Sequence, residues 1–173
     1  MSRQMACALC ATDPRMHSFV SLGALPSGAR LFYTAPARVR DLEHTGKLAL
    51  FHQHLRTAEG TPWVWVFDCG QMEMRHYASL EFTMGLSRIL EAEHGSWLQA
   101  IYVVRPNLFV RTTLNLLQWM LPNSTLRKVR VIADADPYWL AALRMEHGFS
   151  SVNTAAIEAV TRLSLDAVTL PVL

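Results

Sequence analysis

The sequence predicts an α/β fold in a single domain, with a mainly parallel sheet of about four to five strands flanked by helices. Three observations predict it. Short, β-prone apolar runs alternate with amphipathic stretches of roughly 10 to 20 residues, the order in which crossover helices link parallel strands. The run Trp63-Val64-Trp65-Val66-Phe67 is apolar at every position, so both of its faces need cover, as in a central strand with helices on each side. Glycine or proline punctuates most of the boundaries between the runs.

Residues 1–28 carry Pro14, Gly23, Pro26 and Gly28 around the small apolar patch Phe19-Val20-Ser21-Leu22 and end in a Pro-Ser-Gly turn signal. They read as an N-terminal arm or loop, with room for one short helix, ahead of a domain spanning 29–173. Ala29 to Thr34 is the first strand, closed by Pro36. From Val39 to Ala58, Leu48, Phe51, Leu55 and Ala58 recur at three- and four-residue steps opposite Arg40, Asp41, Glu43 and Arg56, which predicts a helix ended by Gly60 and Pro62. After the Trp63–Phe67 strand and an Asp68-Cys69-Gly70 turn, a stripe of Phe82, Leu86, Ile89 and Leu90 predicts a second helix between Tyr77 and Glu93. Ile101 to Val104 is a third strand, and Arg105-Pro106 leads into a helix from about Asn107 to Leu121, broken by Pro122. Val129 to Ala133 is a fourth strand. Asp136 as cap, Pro137 in the first turn and Gly148 as stop frame a helix from Tyr138 to Glu146, and Thr154 to Leu163 is a last one.

The 173 residues suit one domain with one sizeable core. Hydrophobic residues make up 51% and charged ones 17%, which excludes a disordered chain and leaves apolar surface to spare. A net charge of +2 is too mild for a nucleic-acid binder and leaves open only a weak attraction to anionic membrane surfaces. Three cysteines, an odd number, and no early apolar run argue against a secreted disulfide protein, so the expected location is cytoplasmic, with peripheral membrane contact open. The most apolar segment, Leu114 to Leu121, is short and holds Asn115 and Gln118, well under the roughly 18 to 20 residues of a spanning helix.

Catalytic, metal and cofactor chemistry is weakly represented. Cys7 and Cys10 have the spacing of half a zinc site, with only Cys69 and His17 as obvious supplements, so no metal is expected. His52 and His54 fall about 200° apart on a helix and cannot easily share one ion. Nucleophile elbows, phosphate loops and dinucleotide fingerprints are missing, so neither a catalytic residue nor a cofactor is expected. Asp134 and Asp136 follow the fourth strand, where open α/β sheets often place functional groups, but turn formation and capping explain them. Arg127, Lys128 and Arg130 suit lipid headgroups or a solvated strand opening.

The segment IYVVRPNLFVRTTLNLLQWML, Ile101 to Leu121, is the most informative in the chain. It resembles the third core strand and following helix of CRAL-TRIO domains, and most closely the divergent branch of Rho GTPase-activating proteins and their BCH-type relatives. There the strand typically reads aliphatic-Tyr-Ile-Val-His-Pro; here it is Ile101-Tyr102-Val103-Val104-Arg105-Pro106. The likeness runs from about Ala29 to Gly148 and rests on the order and spacing of the whole run.

The resemblance implies that the Asn107–Leu121 helix gates a pocket floored by the sheet. Its physical counterpart is that Leu114, Leu116, Leu117, Trp119, Met120 and Leu121 are apolar around nearly the full turn, more than one buried face requires. A helix simply sandwiched in the core would also explain this. The implied ligand-binding residues are Val64, Val66, Val103, Phe109, Leu114, Leu117, Trp119, Met120 and Leu121. Phosphoinositide-binding members carry Lys-Pro in the gate helix where this chain has Gln118-Trp119, and the 28 residues of the arm are too few for the helical subdomain that braces lipid-transfer members. The implied function is non-enzymatic binding of a lipid or other small hydrophobe. The alternative is a BCH-like protein-interaction scaffold related to small-GTPase signalling, with a protein partner or self-association through exposed apolar surface.

Overall fold

The computed structural model describes residues 19–38, 47–73, 76, 79–119, 123–134 and 137–168. Five strands form one sheet in sequential order: β1 Val20–Ala24, β2 Arg30–Thr34, β3 Trp63–Asp68, β4 Leu98–Val104 and β5 Val129–Ile132. β1 runs antiparallel to β2, and the remaining pairs are parallel. The helices are α1 Lys47–Leu55, continued by a 3₁₀ turn over Arg56–Ala58, then α2 Leu80–His94, α3 Leu108–Leu117, the single turn α4 Asn123–Leu126, α5 Tyr138–His147 and α6 Ser151–Val168.

Alternating side chains divide the core between the two faces of the sheet. On one face Phe32, Trp63, Trp65, Ile101 and Val103 meet Leu55 of α1, Leu90 of α2 and Val110 of α3. On the other, Leu31, Tyr33, Val64, Val66, Tyr102 and Val104 meet Trp139 and Leu143 of α5 and Ile157 of α6. Successive parallel strands in sequential order put all their crossover helices on one side when the crossovers share a hand. The opposite face is left for the chain that follows β5.

Local signals set the helix starts. Ser79 Oγ accepts from the Phe82 amide at 3.1 Å, and Asn107 Oδ1 accepts from the Val110 amide at 2.9 Å. Ser150 and Asn153 exchange side-chain and backbone bonds at the head of α6, and Asn153 Nδ2 donates to Ala24 O at 2.9 Å, tying that helix to the edge strand.

Several expectations are corrected. Residues 20–24, read as part of an arm or loop, form the edge strand β1. Gly23, at φ +89°, lies where the β1–β2 register slips between Ser21 and Ala24, a bulge that interrupts the alternation by which a strand is recognised. β4 begins at Leu98, ahead of the expected Ile101. Leu98 pairs with Trp63 and Ala100 with Val64, so Gln99 is an extra residue that hides the strand's first turn of pleat while returning Leu98 to the Trp63 face. α3 ends at Leu117, and a separate turn at Asn123–Leu126 follows, docked by Ser124 Oγ donating to Glu91 Oε1 at 2.8 Å. α6 is longer than the expected Thr154–Leu163. Residues 39–46 of the first expected helix, Tyr77 and Asp136 lie outside the described residues.

Candidate ligand-binding site

Helix α3 lies over the aromatic face of the sheet. Phe19 stacks on Phe32 with ring centroids 4.9 Å apart and meets Trp65 edge-on at 5.8 Å, and Trp65 in turn meets Phe67 at 5.8 Å and Trp63 at 6.0 Å. Phe51 of α1 and Phe82 of α2 extend the cluster at 5.6 Å. Rings in edge-to-face contact make a stiff, apolar floor.

Above this floor α3 is apolar on two opposite sides. Val110 and Leu114 pack down onto the aromatic face, and Leu117, three residues further on the same side of the helix, is buried too. Leu108, Leu116 and Trp119 follow a second stripe at eight- and three-residue steps, and they are 81%, 63% and 90% exposed. Trp119 sits just past the helix end, with its amide on Leu116 O at 3.2 Å. Phe109, at the border between the stripes, is also exposed.

The nine expected ligand-binding residues therefore separate. Val103 and Leu114 meet on the aromatic face, Leu117 is buried on the same side of α3, and Phe109 and Trp119 lie on the outer surface of the same helix segment. Met120 and Leu121 fall outside the described residues. The placement of Val64 and Val66 is corrected: both point to the other face, among Trp139, Leu143 and Ile157, and cannot share a cavity with α3. Trp63, Trp65, Phe67 and Ile101 hold the α3 side instead. Parallel pairing joins Ile101 to Trp65 and Val103 to Phe67, so neighbours in register share a face. Alternation alone showed that one set of β3 residues faces α3. Choosing which set needed this register, and the bulge at Gln99 is not visible in the sequence.

At the carboxyl end of the strands a polar knot closes the sheet. Asp68 is fully buried, and Arg105 grips it with Nε on Oδ1 at 2.9 Å and Nη2 on Oδ2 at 2.6 Å. The Tyr33 hydroxyl donates to Oδ2 and the Gly70 amide to Oδ1 at 2.9 Å. Arg105 occupies the position before Pro106 with φ +52°, an uncommon conformation for a residue with a side chain, and its guanidinium lies 5.4 Å from the Trp139 ring centroid. Four donors from three strand ends converge on one carboxylate, so this cluster acts as a latch between β2, β3 and β4.

The other polar candidates also resolve. His52 is partly exposed and donates to Glu93, whereas His54 is buried, so the two rings do point to different faces. Asp134 is exposed at the end of β5. Lys128 Nζ donates to Gly95 O and Arg130 to Arg127 O, which commits these cations to backbone carbonyls. Burial, with the Asp68 charge adding to it, pushes the Cys69 thiol up to about 12. Alkylation by iodoacetamide at pH 8 is accordingly expected to spare Cys69 in the folded chain and reach it only on unfolding. Peptide mass spectrometry before and after urea checks this, and fast native labelling would contradict the burial.

Residues 29–136, more than half of the chain, match the family model of the divergent CRAL/TRIO domain. The chain belongs to that family. The family is known for lipid binding, and the five-stranded, mostly parallel sheet with flanking helices is the fold the resemblance implied. Among solved structures, that of Sfh5 aligns with a TM-score of 0.49 at 14% sequence identity, covering 63% of this chain and 45% of Sfh5. No curated protein matches the sequence significantly. Among the described residues of this CRAL/TRIO chain, no helix is long and apolar enough to cross a membrane.

Proposed function

We propose that this CRAL/TRIO domain holds a lipid or another small hydrophobic molecule between helix α3 and the aromatic face of the sheet, without covalent chemistry. The observation that carries the reading is the doubly apolar α3. Its inner stripe, Val110, Leu114 and Leu117, needs no outer counterpart to fold, yet Leu108, Leu116 and Trp119 stand in water. Exposing such surface is costly unless something covers it for part of the protein's working cycle. A helix that lifts from the floor to admit an acyl chain, and whose outer ridge then meets the membrane surface, accounts for both stripes. Val103, Leu114 and Leu117 would line the inside, joined by Trp65, Phe67 and Ile101, with Phe109 and Trp119 at the rim.

The test uses the full chain incubated with vesicles of phosphatidylcholine and phosphatidylserine, re-isolated, and analysed by native mass spectrometry and lipid extraction. One bound lipid per chain is the expected result. A chain that stays empty after incubation, and empty as purified from cells, overturns the reading.

The same exposed ridge supports a second reading, an interaction module of the BCH-type branch. It expects concentration-dependent self-association or a protein partner that covers Leu108, Leu116 and Trp119. Light scattering separates the two readings, since a strictly monomeric chain that carries lipid excludes self-association.

A further inference from the structure

At the amino end of β3, far along the strand from the Asp68 latch, three ligating side chains converge. Atoms of Glu59, Glu93 and His94 able to ligate a metal all lie within 4.8 Å of one another. Glu59 stands in the turn after the 56–58 3₁₀ turn, and Glu93 and His94 end α2. His94 is 0% exposed, and among the described residues neither of its ring nitrogens has a hydrogen-bond partner. Its ring packs edge-on against Trp63, with centroids 5.5 Å apart, a contact that a phenylalanine would supply without desolvating two nitrogens. The carboxylates are exposed, and Glu93 is itself oriented by His52, whose Nε2 donates to Oε2 at 2.7 Å.

From this arrangement we infer that Glu59, Glu93 and His94 bind a divalent transition-metal ion such as Zn²⁺, with His52 as the hydrogen-bonded support of Glu93. One imidazole and two carboxylates are a nitrogen–oxygen donor set suited to Zn²⁺. Tetrahedral zinc at bond lengths of about 2.0–2.2 Å wants donors roughly 3.3–3.5 Å apart. The exposed glutamates have the freedom to close by about the remaining ångström, while His94 is held by its packing. Water would take the fourth position. Binding would fasten the α1–β3 turn to the end of α2 and satisfy a nitrogen otherwise orphaned. Of His52 and His54, the pair the sequence draws attention to, His52 contributes only the support.

The test is calorimetric titration of Zn²⁺ into the chelator-stripped full chain carrying Cys7→Ser and Cys10→Ser, which removes the thiols as competing ligands. One ion per chain is expected. Glu59→Gln, an exposed change that leaves the fold intact, should weaken binding by about a hundredfold or more, and His52→Ala by about ten- to a hundredfold. Co²⁺ in place of Zn²⁺ should show ligand-field bands without thiolate charge transfer. His94→Gln should abolish binding, and circular dichroism of that variant separates ligand loss from misfolding. Absence of Zn²⁺ binding by the folded chain, or an unchanged affinity in Glu59→Gln, overturns the inference.

Discussion

Replacing Asp68 with alanine is expected to destabilise the domain by about 3–5 kcal/mol, the cost of breaking a buried ion pair by removing one partner. Asp68 is 0% exposed, and the Arg105 side chain keeps 19%. The variant removes the acceptor shared by the Tyr33 hydroxyl, the Gly70 amide and a mostly buried guanidinium at once. Arg105→Ala should cost a similar amount, because it leaves a carboxylate in the interior with only Tyr33 and Gly70. Arg105→Gly should be the milder of the two by up to about 1 kcal/mol, since φ +52° suits glycine and strains any other residue. The double variant Asp68→Leu with Arg105→Met should lose much less than the sum of the singles, as the remaining apolar pair leaves no charge unmatched. Gly70→Ala probes the latch from outside. Its Cβ would fall 2.3 Å from Arg105 Cζ and push the guanidinium off Asp68, at a cost of about 1.5–3 kcal/mol for the charged hydrogen bonds disturbed. Urea denaturation midpoints at pH 7 measure all five. Wild-type stability in Asp68→Ala would show that the knot is decoration.

The second large effect concerns the outer ridge of α3. Leu108→Asp combined with Leu116→Asp is expected to lower binding to vesicles of phosphatidylcholine and phosphatidylserine by about a hundredfold or more. Each leucine brings about 1.5–3 kcal/mol when its side chain leaves water, and two together span roughly 3–6 kcal/mol, which is about a hundred- to ten-thousandfold. Folding stability should fall by no more than about 1 kcal/mol, because both side chains already face solvent in the free protein; aspartate suits the first residue of the helix and at Leu116, in its last turn, opposes the helix dipole only modestly. Vesicle sedimentation paired with thermal unfolding reads both quantities. Undiminished sedimentation by a well-folded double variant would remove the ridge from the membrane step. Loss of self-association with lipid uptake retained would move it to the interaction reading.

These two features differ in how far the sequence revealed them. The ridge was half visible. An excess of apolar residues from Leu114 to Leu121 suited a helix that covers something besides the sheet as well as one sandwiched in the core, and which residues point outward depends on the phase of the helix against the sheet, which follows from packing. The latch was almost invisible. Asp68 read as a turn residue and Arg105 as the family's histidine replaced, and nothing in a linear chain announces that residues 37 apart meet as a bidentate pair. The likewise scattered Glu59, Glu93 and His94 converge only because the α1–β3 turn and the end of α2 reach the same end of the sheet.

Sequence by itself determined most of the architecture: four of the five strands and the longer helices, that the sheet is mainly parallel and covered on both sides, and that the chain resembles a CRAL/TRIO domain. Those properties are local or periodic. Hydrophobic spacing of two or near four, prolines and glycines at boundaries, and capping residues such as Ser79 and Asn107 act over a few neighbours and are written along the chain. Tertiary structure alone decided the faces. A single bulge at Gln99 and another at Gly23 shift the register by one residue, and with a side-chain period of two that is enough to exchange the inside of a strand for its outside. Along β3 the alternation puts Val64 and Val66, equally apolar, beneath α5 and α6 and Trp63 and Trp65 in the floor under α3, a choice made by which helices pack on each face.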